Sequence, residues 1–208
     1  MRKSLLFVWA CMGLVCLMSA CKTSVKSKEW KLVWVEDFDQ KNSFDESVWT
    51  KIPRGTSDWN NYMSYYDSCY AMQDGNLILR GIANHTQKND TAPYLTGGVY
   101  TKGKKLFTGG RVEVCARLQA AKGAWPAIWM LPEKAEWPKG GEIDIMERLN
   151  HDHIAYQTTH SYYTYILGIK DNPPHGGINK INPEEYNIYS VDIYPDSLVF
   201  AVNHRHTY

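Results

Sequence analysis

The chain has 208 residues, enough for one domain with a substantial core. It carries 23 basic and 22 acidic residues, which gives a formal net charge of +1. This near balance gives no support to nucleic-acid binding, because that function needs a clustered basic surface.

The first twenty residues differ from the rest of the chain. Arg2 and Lys3 precede an apolar run, and small residues lead to Cys21. This pattern is typical of an export signal rather than a transmembrane helix. The stretch Leu17–Cys21 resembles a bacterial lipobox, so we expect a lipoprotein-type signal over 1–20 and lipidation of Cys21. Simple secretion is the alternative.

The polar residues that follow predict a short tether over 21–29, and the folded domain is expected over 30–208. We expect an exported protein at the outer membrane or cell surface, or otherwise a periplasmic or secreted one. Its only membrane attachment would be the lipid on Cys21, and we expect a monomer. Cys69 and Cys115 could pair after export, but we favour two separate buried thiols.

Short apolar stretches with turn signals between them recur along the chain, and no long stretch after the signal has a helical period. This rhythm predicts an all-β sandwich or barrel. The stretches are Leu32–Val35, Leu77–Leu79, Gly97–Tyr100, Arg111–Leu118, Ala127–Leu131, Ile143–Met146, Ile154–Thr159, Tyr189–Ile193 and Leu198–Val202.

Three carboxylates fall within the hexapeptide Glu142–Glu147, interleaved with Ile, Ile and Met. On a regular strand Glu142 and Asp144 share a face and Glu147 points the other way. A β-bulge near Ile145 and Met146 would turn Glu147 back to the same face. The three carboxylates would then line one cleft.

Such a cluster suits a retaining glycosidase, which needs an ionised nucleophile and a protonated acid about 5–5.5 Å apart. Glu142 and Glu147 can meet that spacing, and Asp144 can hydrogen-bond the nucleophile and keep the other Glu protonated. The sequence pattern alone does not show which Glu is the nucleophile and which is the acid. A solvated strand face with alternating charge is the competing interpretation.

Motifs around the hexapeptide resemble glycoside hydrolase family 16, in the subgroup with a bulged catalytic strand. The resemblance runs from about Trp30 to the last residue. It rests on Gly123–Pro132, Gly140–Glu147, Trp34–Phe38, Asp74–Leu79, Gly97–Thr101 and Gly109–Val114.

The resemblance implies a concanavalin A-like β-jelly roll, a sandwich of two antiparallel sheets with a concave substrate cleft. It implies that Glu142 is the nucleophile, that Glu147 is the general acid and base, and that Asp144 supports Glu142. No organic cofactor and no metal site are expected. Some relatives bind a structural calcium ion, which cannot be assigned to residues of this chain.

Aromatic and polar residues are predicted to build the sugar subsites. Trp125 and Trp129 lie four apart, so on a strand they share a face. Trp125 is expected beside the sugar, whereas Trp129 is expected in the core or the cleft floor. His160 is either a residue that tunes Glu147 or a structural histidine.

The segment that contains Asn61 and Tyr62 bears on the substrate. Glucan-cleaving relatives read W-G-N-N-E here, and this chain has Tyr62 in the place of the Glu. We narrowly favour an endo-acting enzyme on β-1,3- or mixed β-1,3/1,4-glucan. The alternatives are an endo-β-galactosidase on mucin-, keratan- or agar-type chains and a non-catalytic lectin-like module.

The C-terminal end departs from the family pattern. Val199–His204 reads as a strand that leads into a hairpin with no return strand, and the family has further strands beyond this point. We therefore expect a domain that lacks its C-terminal strands, with an open sheet edge.

Overall fold

The computed structural model describes residues 30–40, 42–119 and 121–208. The predicted signal, the tether and Cys21 lie outside the described residues, so they stay predictions. Residues Leu32–Tyr208 form one compact unit. No helix in the described part of the chain has the length and apolarity needed to cross a bilayer.

Strands dominate the described residues, which confirms the all-β prediction. A 3-10 turn at Asp67–Cys69 and a π-helical turn at Tyr162–Ile166 are the short helical elements. The strands are β1 Thr50–Lys51, β2 Tyr70–Gln73, β3 Asn76–Leu79, β4 Gly81–Ala83, β5 Tyr94–Thr96, β6 Val99–Tyr100, β7 Gly110–Ala116, β8 Ala127–Met130, β9 Glu142–Glu147, β10 Ile154–His160, β11 Gly176–Lys180, β12 Asn187–Ile193, β13 Leu198–Val202 and β14 Arg205–His206.

Two antiparallel four-stranded sheets form the body of the domain. One has the order β11-β10-β9-β8 and the other the order β14-β13-β12-β7. Their buried side chains share one core, to which Ile145 and Met146 contribute from the first sheet and Val191 and Phe200 from the second. The predicted sandwich is therefore confirmed, with three additional two-stranded ladders, β1-β6, β2-β3 and β4-β5.

Strand β7 shows the alternation that its sequence predicts. Val112 and Ala116 pack against the core and Val114 between them is partly buried, while Arg111 and Cys115 are exposed. Both Cys115 and Cys69 are free thiols, and Cys69 is buried. The predicted burial of Cys115 is wrong, because its position in the two-residue period places it on the outer face of the sheet.

The predicted strand over Leu32–Val35 is wrong. The segment pairs with no strand among the residues that the structure describes, and Leu32 and Val33 are exposed. Its attachment comes from Trp34, whose ring centroid lies 6.4 Å from that of Trp49 and 5.9 Å from that of Phe107. An apolar run supplies side chains for packing but not the partner strand that a ladder requires.

The hairpin near the C-terminal end differs from the prediction. A return strand is present, since β14 pairs with β13 through Ala201–His206 and Val202–Arg205. The turn is made by Asn203 and His204, both with positive φ (50° and 61°). Asn tolerates this left-handed backbone better than most residues, which permits the tight reversal.

Candidate active site

Strand β9 carries a bulge at Ile145. On the β8 side Ile128 pairs with Met146, and the next residue, Trp129, pairs with Asp144. Ile145 therefore has no partner in that ladder, and the β10 ladder shifts register at the same place. One extra residue reverses the face taken by the side chains that follow.

The bulge brings Glu142, Asp144 and Glu147 to one face of the catalytic sheet. Their cross-strand partners on β10 are spaced two apart, and directly opposed residues share a face. These partners are His160, Thr158 and Tyr156, in that order.

Two glycines lead the chain into β9. A Cβ on Gly140 would lie 2.5 Å from Pro132 Cγ and 2.6 Å from Ala135 Cβ, so no larger residue fits without movement. Gly141 has a φ of +82°, a conformation that glycine adopts at little cost. The pair thus sets the point at which Glu142 enters the sheet.

Glu142 is half-buried and accepts a 2.5 Å hydrogen bond from Trp137 Nε1 to its Oε2. Burial raises the pKa of Glu142, and the nearby charge of Asp144 raises it further, whereas the Trp137 N–H opposes the rise. Trp137 was not among the predicted site residues. Its position just before the Gly140–Gly141 pair was the available signal.

Glu147, like Glu142, accepts a hydrogen bond from a tryptophan indole. Its Oε1 accepts a 2.7 Å hydrogen bond from Trp125 Nε1, and burial is the main cause of the raised pKa of Glu147. Trp125 is 49% exposed and precedes β8, so the expectation that it shares a strand with Trp129 is wrong. Pro126 lacks a backbone N–H, which favours a strand start after it.

Asp144 is only 3% exposed and lies between the two Glu side chains on the same face. Burial raises its pKa, and the contact from His160 Nε2 to Asp144 Oδ2, at 3.3 Å, opposes this rise. The same contact raises the pKa of His160. His160 therefore contacts Asp144 and not Glu147, although its charge acts on both Glu side chains.

Aromatic rings flank the three carboxylates. Trp129 lies opposite Asp144 on the catalytic face and meets Trp59 edge to face, with ring centroids 4.9 Å apart. Trp137 meets Tyr165 edge to face at 4.5 Å. Trp129 therefore belongs to the cleft floor, and Trp59 and Tyr165 are site residues that the sequence reasoning missed.

The segment of Asn61 and Tyr62 approaches this site through its neighbour Trp59. Tyr62 is 38% exposed, and its ring lies 6.2 Å from that of Tyr94. The Oδ1 atom of Asn61 is buried and has no hydrogen-bond partner among the residues described. The segment thus contacts the site through the Trp59–Trp129 pair and not through the carboxylates.

Known proteins match this chain over most of its length. A family model described as "XgeA-like, catalytic GH16 domain" matches residues 68–180. A beta-glucanase from Rhodothermus marinus is 30% identical over 200 residues, which cover 90% of this chain and 68% of that protein. The chain belongs to glycoside hydrolase family 16. A keratan-sulfate endo-1,4-beta-galactosidase from Sphingobacterium multivorum is 37% identical over 191 residues, which cover 89% of this chain but 44% of that protein.

Solved structures of family 16 relatives share the fold. The laminarinase from Rhodothermus marinus superposes with a TM-score of 0.76 at 28% identity, over 86% of this chain and 74% of that one. The laminarinase catalytic domain from Thermotoga maritima gives a TM-score of 0.73 at 27% identity, over 87% and 77%. The predicted family and its jelly-roll fold are therefore confirmed.

Within the parts of the chain that the structure covers, no group of three His, Cys, Asp or Glu side chains is arranged to hold a metal ion. What the site offers is acid–base chemistry between two carboxyl groups, each held by one indole N–H.

Proposed function

We propose that this protein is a retaining endo-β-glycosidase. The observation that carries the proposal is the bulged strand β9, which presents Glu142, Asp144 and Glu147 on one face. Two carboxyl groups that flank a glycosidic bond, about 5–5.5 Å apart, are what a double displacement requires. The assignment of Glu142 as nucleophile and Glu147 as acid and base follows the family resemblance.

In the first step a carboxylate oxygen of Glu142 attacks the anomeric carbon. The bond from that carbon to the leaving oxygen breaks, and Glu147 gives its proton to this oxygen. The product is a glycosyl ester of Glu142. In the second step Glu147 takes a proton from water, the water oxygen attacks the same carbon, and Glu142 leaves as a carboxylate.

The electrostatics of the site are compatible with these roles but do not distinguish them. Burial raises the pKa of both Glu142 and Glu147, which favours the protonated form that an acid needs. Trp137 donates to Glu142 and Trp125 to Glu147, and each N–H stabilises the carboxylate form of its partner. The His160 contact with Asp144 holds a carboxyl group between the two reacting residues.

The substrate we propose first is β-1,3- or mixed β-1,3/1,4-glucan. The laminarinase structures and the Rhodothermus marinus beta-glucanase support this class. Sugar C–H groups pack on exposed aromatic rings, and we propose that Trp125 and Trp137, both partly exposed beside the carboxylates, supply such faces.

An endo-β-galactosidase is the second candidate, favoured by a separate observation. Tyr62 stands where glucan-cleaving relatives have Glu, so a polar partner for a sugar hydroxyl is replaced by an aromatic ring. Loss of such a partner changes specificity strongly. The 37% identity to the keratan-sulfate endo-1,4-beta-galactosidase supports the same direction.

We further propose that the protein is exported as a monomeric lipoprotein, anchored through Cys21. The support is the sequence pattern of residues 1–21 alone. Cys21→Ser should release the protein from the membrane fraction into the soluble one. Equal membrane association of the variant and the wild type would refute anchoring through this residue.

A substrate panel tests the enzymatic proposal. The full-length protein is incubated with laminarin, barley mixed-linkage glucan, agarose, keratan sulfate and gastric mucin, and products are sized by mass spectrometry. Glu142→Gln is the blank, because it keeps the shape of the side chain but removes the nucleophile. Oligosaccharides from a glucan support the first substrate, and products from galactose-containing chains alone support the second. Binding to one polymer without any product would refute the proposal of an enzyme and favour a lectin-like module.

A further inference from the structure

Gln157 on β10 is a buried polar residue that the proposed reaction does not use. Its exposure is 0%, and it lies between Tyr156 and Thr158, where the β10 ladder shifts register against β9. A buried amide normally costs stability unless its donors and its acceptor are satisfied.

The hydrogen bonds of Gln157 span the core of the sandwich. Its Nε2 donates to Ile145 O at 2.9 Å and makes a longer contact with Ala201 O at 3.4 Å. Its Oε1 accepts a hydrogen bond from Thr207 Oγ1. Because both carbonyls only accept, the nitrogen must face them, and the amide orientation follows. One side chain thus joins the bulge on the catalytic sheet to the opposite sheet.

The carbonyl that Gln157 binds belongs to the bulged residue. Ile145 has no partner in the β8 register or in the β10 register. It is also 1% exposed, so its backbone groups are shielded from water. A bulge disrupts the ladder around its extra residue, and the Gln157 amide donates to the buried carbonyl of that residue.

We propose that Gln157 is a positioning residue that fixes the bulge and thereby holds Asp144 and Glu147 on the same face. The inference rests on the proposed function of those carboxylates. Without this donor, the buried carbonyl of Ile145 would be better hydrogen-bonded in a regular ladder than in the bulge. A one-residue change of register turns Glu147 away from the cleft.

Thr207 has a part in this arrangement, because it orients the amide. Its backbone N–H donates to Phe200 O at 2.9 Å, which fixes the residue beside β13. Its hydroxyl then holds Gln157 Oε1, leaving Nε2 directed at Ile145.

Gln157→Met tests the proposal, since Met has similar length and no hydrogen-bonding amide. We expect kcat to fall about 10- to 100-fold, because a small displacement of a catalytic group has an effect of this size. KM should stay within about threefold, since the aromatic subsites are untouched. The matched control is Val191→Ala, a fully buried residue of β12 on the opposite sheet, which should lower Tm without lowering kcat.

Hydrogen exchange gives a readout that is independent of turnover. The backbone amides of Glu142–Glu147 should exchange faster in Gln157→Met than in Val191→Ala of similar Tm. Unchanged kcat and unchanged β9 exchange in a folded Gln157→Met would overturn the positioning role. If the wild type cleaves no polymer, the proposed function fails, and the exchange comparison still decides whether Gln157 fixes the bulge.

Thr207→Val serves if Gln157→Met does not fold. It removes the Thr207 hydroxyl that donates to Gln157 Oε1 but leaves the side-chain amide of Gln157 intact. We expect a smaller fall in kcat, about 3- to 10-fold, at similar KM. A folded Thr207→Val with wild-type kcat and wild-type β9 exchange would overturn the proposal.

Discussion

The replacement Asp144→Asn should weaken catalysis and strengthen the fold at alkaline pH. Asp144 is 3% exposed, and burial raises its pKa in the folded protein. The folded state therefore binds the proton more tightly than the unfolded state, and the ionised form opposes folding. This cost is absent below the unfolded pKa of about 3.9 and is fully present above the folded pKa.

His160 sets the second limb of the pH dependence. Its pKa is raised by the contact with Asp144, so its stabilising effect is complete below its unfolded pKa of about 6.5. That effect is lost as the pH rises through the folded pKa. The asparagine variant should therefore gain most stability at alkaline pH and less at acidic pH, because the charged form of His160 that favours the contact with Asp144 is present only below the folded pKa of His160.

The expected gain at pH 9 is on the order of 1 kcal/mol, a usual size for a single substitution at a buried polar site, because the asparagine carries no charge and keeps hydrogen-bonding capacity. For a chain of 208 residues this raises Tm by about 2–4 °C. Thermal denaturation of both proteins at pH 3, 5.5 and 9 measures it. A variant that is less stable than the wild type at pH 9 would refute the claim that the buried carboxylate opposes folding.

Trp137→Phe removes the N–H that Glu142 accepts, so the pKa of Glu142 should rise further. The acidic limb of the kcat/KM profile then moves to higher pH, so kcat/KM falls at pH values on that limb. Trp125→Phe removes the N–H that Glu147 accepts, and the basic limb of the profile should move to higher pH. Tyr62→Glu should raise the ratio of kcat/KM on laminarin to that on keratan sulfate.

The predictions for these variants can each be contradicted by experiment. Trp49→Phe is the control for the two tryptophans, because Trp49 Nε1 donates to Glu36 at 3.0 Å outside the site. If Trp137→Phe alters the pH profile no more than this control does, the role of the indole N–H is wrong. An unchanged substrate ratio in Tyr62→Glu would remove that residue from the specificity argument.

The catalytic strand could be predicted from the sequence because its signal is local. The two-residue period of a strand fixes the faces of Glu142 and Asp144, and the three-residue step to Glu147 requires a bulge if all three are to meet. The structure has that bulge at Ile145. The order of the two Glu roles stays a prediction, since both are held in the same way.

The walls of the site could not be predicted in the same way. Trp137, Tyr165 and Trp59 reach the site through loops and a helical turn, whose conformations the two-residue period does not describe. The same limit explains the misplacement of Trp125, which lies in a loop ahead of Pro126.

The sequence also predicts exposed parts of the sheets poorly, as Cys115 and strand β14 show. The chemical type of Cys115 predicts a core residue, whereas its alternation with Val112 and Val114 indicates the outer face. The hairpin of β13 and β14 was missed because Arg205 and His206 carry no apolar signal, and backbone pairing alone defines that strand.

The anomeric form of the first product tests the central claim most directly. Proton NMR during hydrolysis of laminarin, or of whichever panel polymer is cleaved, detects the new reducing end before it mutarotates. The double displacement by Glu142 and Glu147 predicts the β-anomer first, with no signal from Glu142→Gln. The α-anomer first would mean direct attack by water and would contradict the nucleophilic role of the bulged strand.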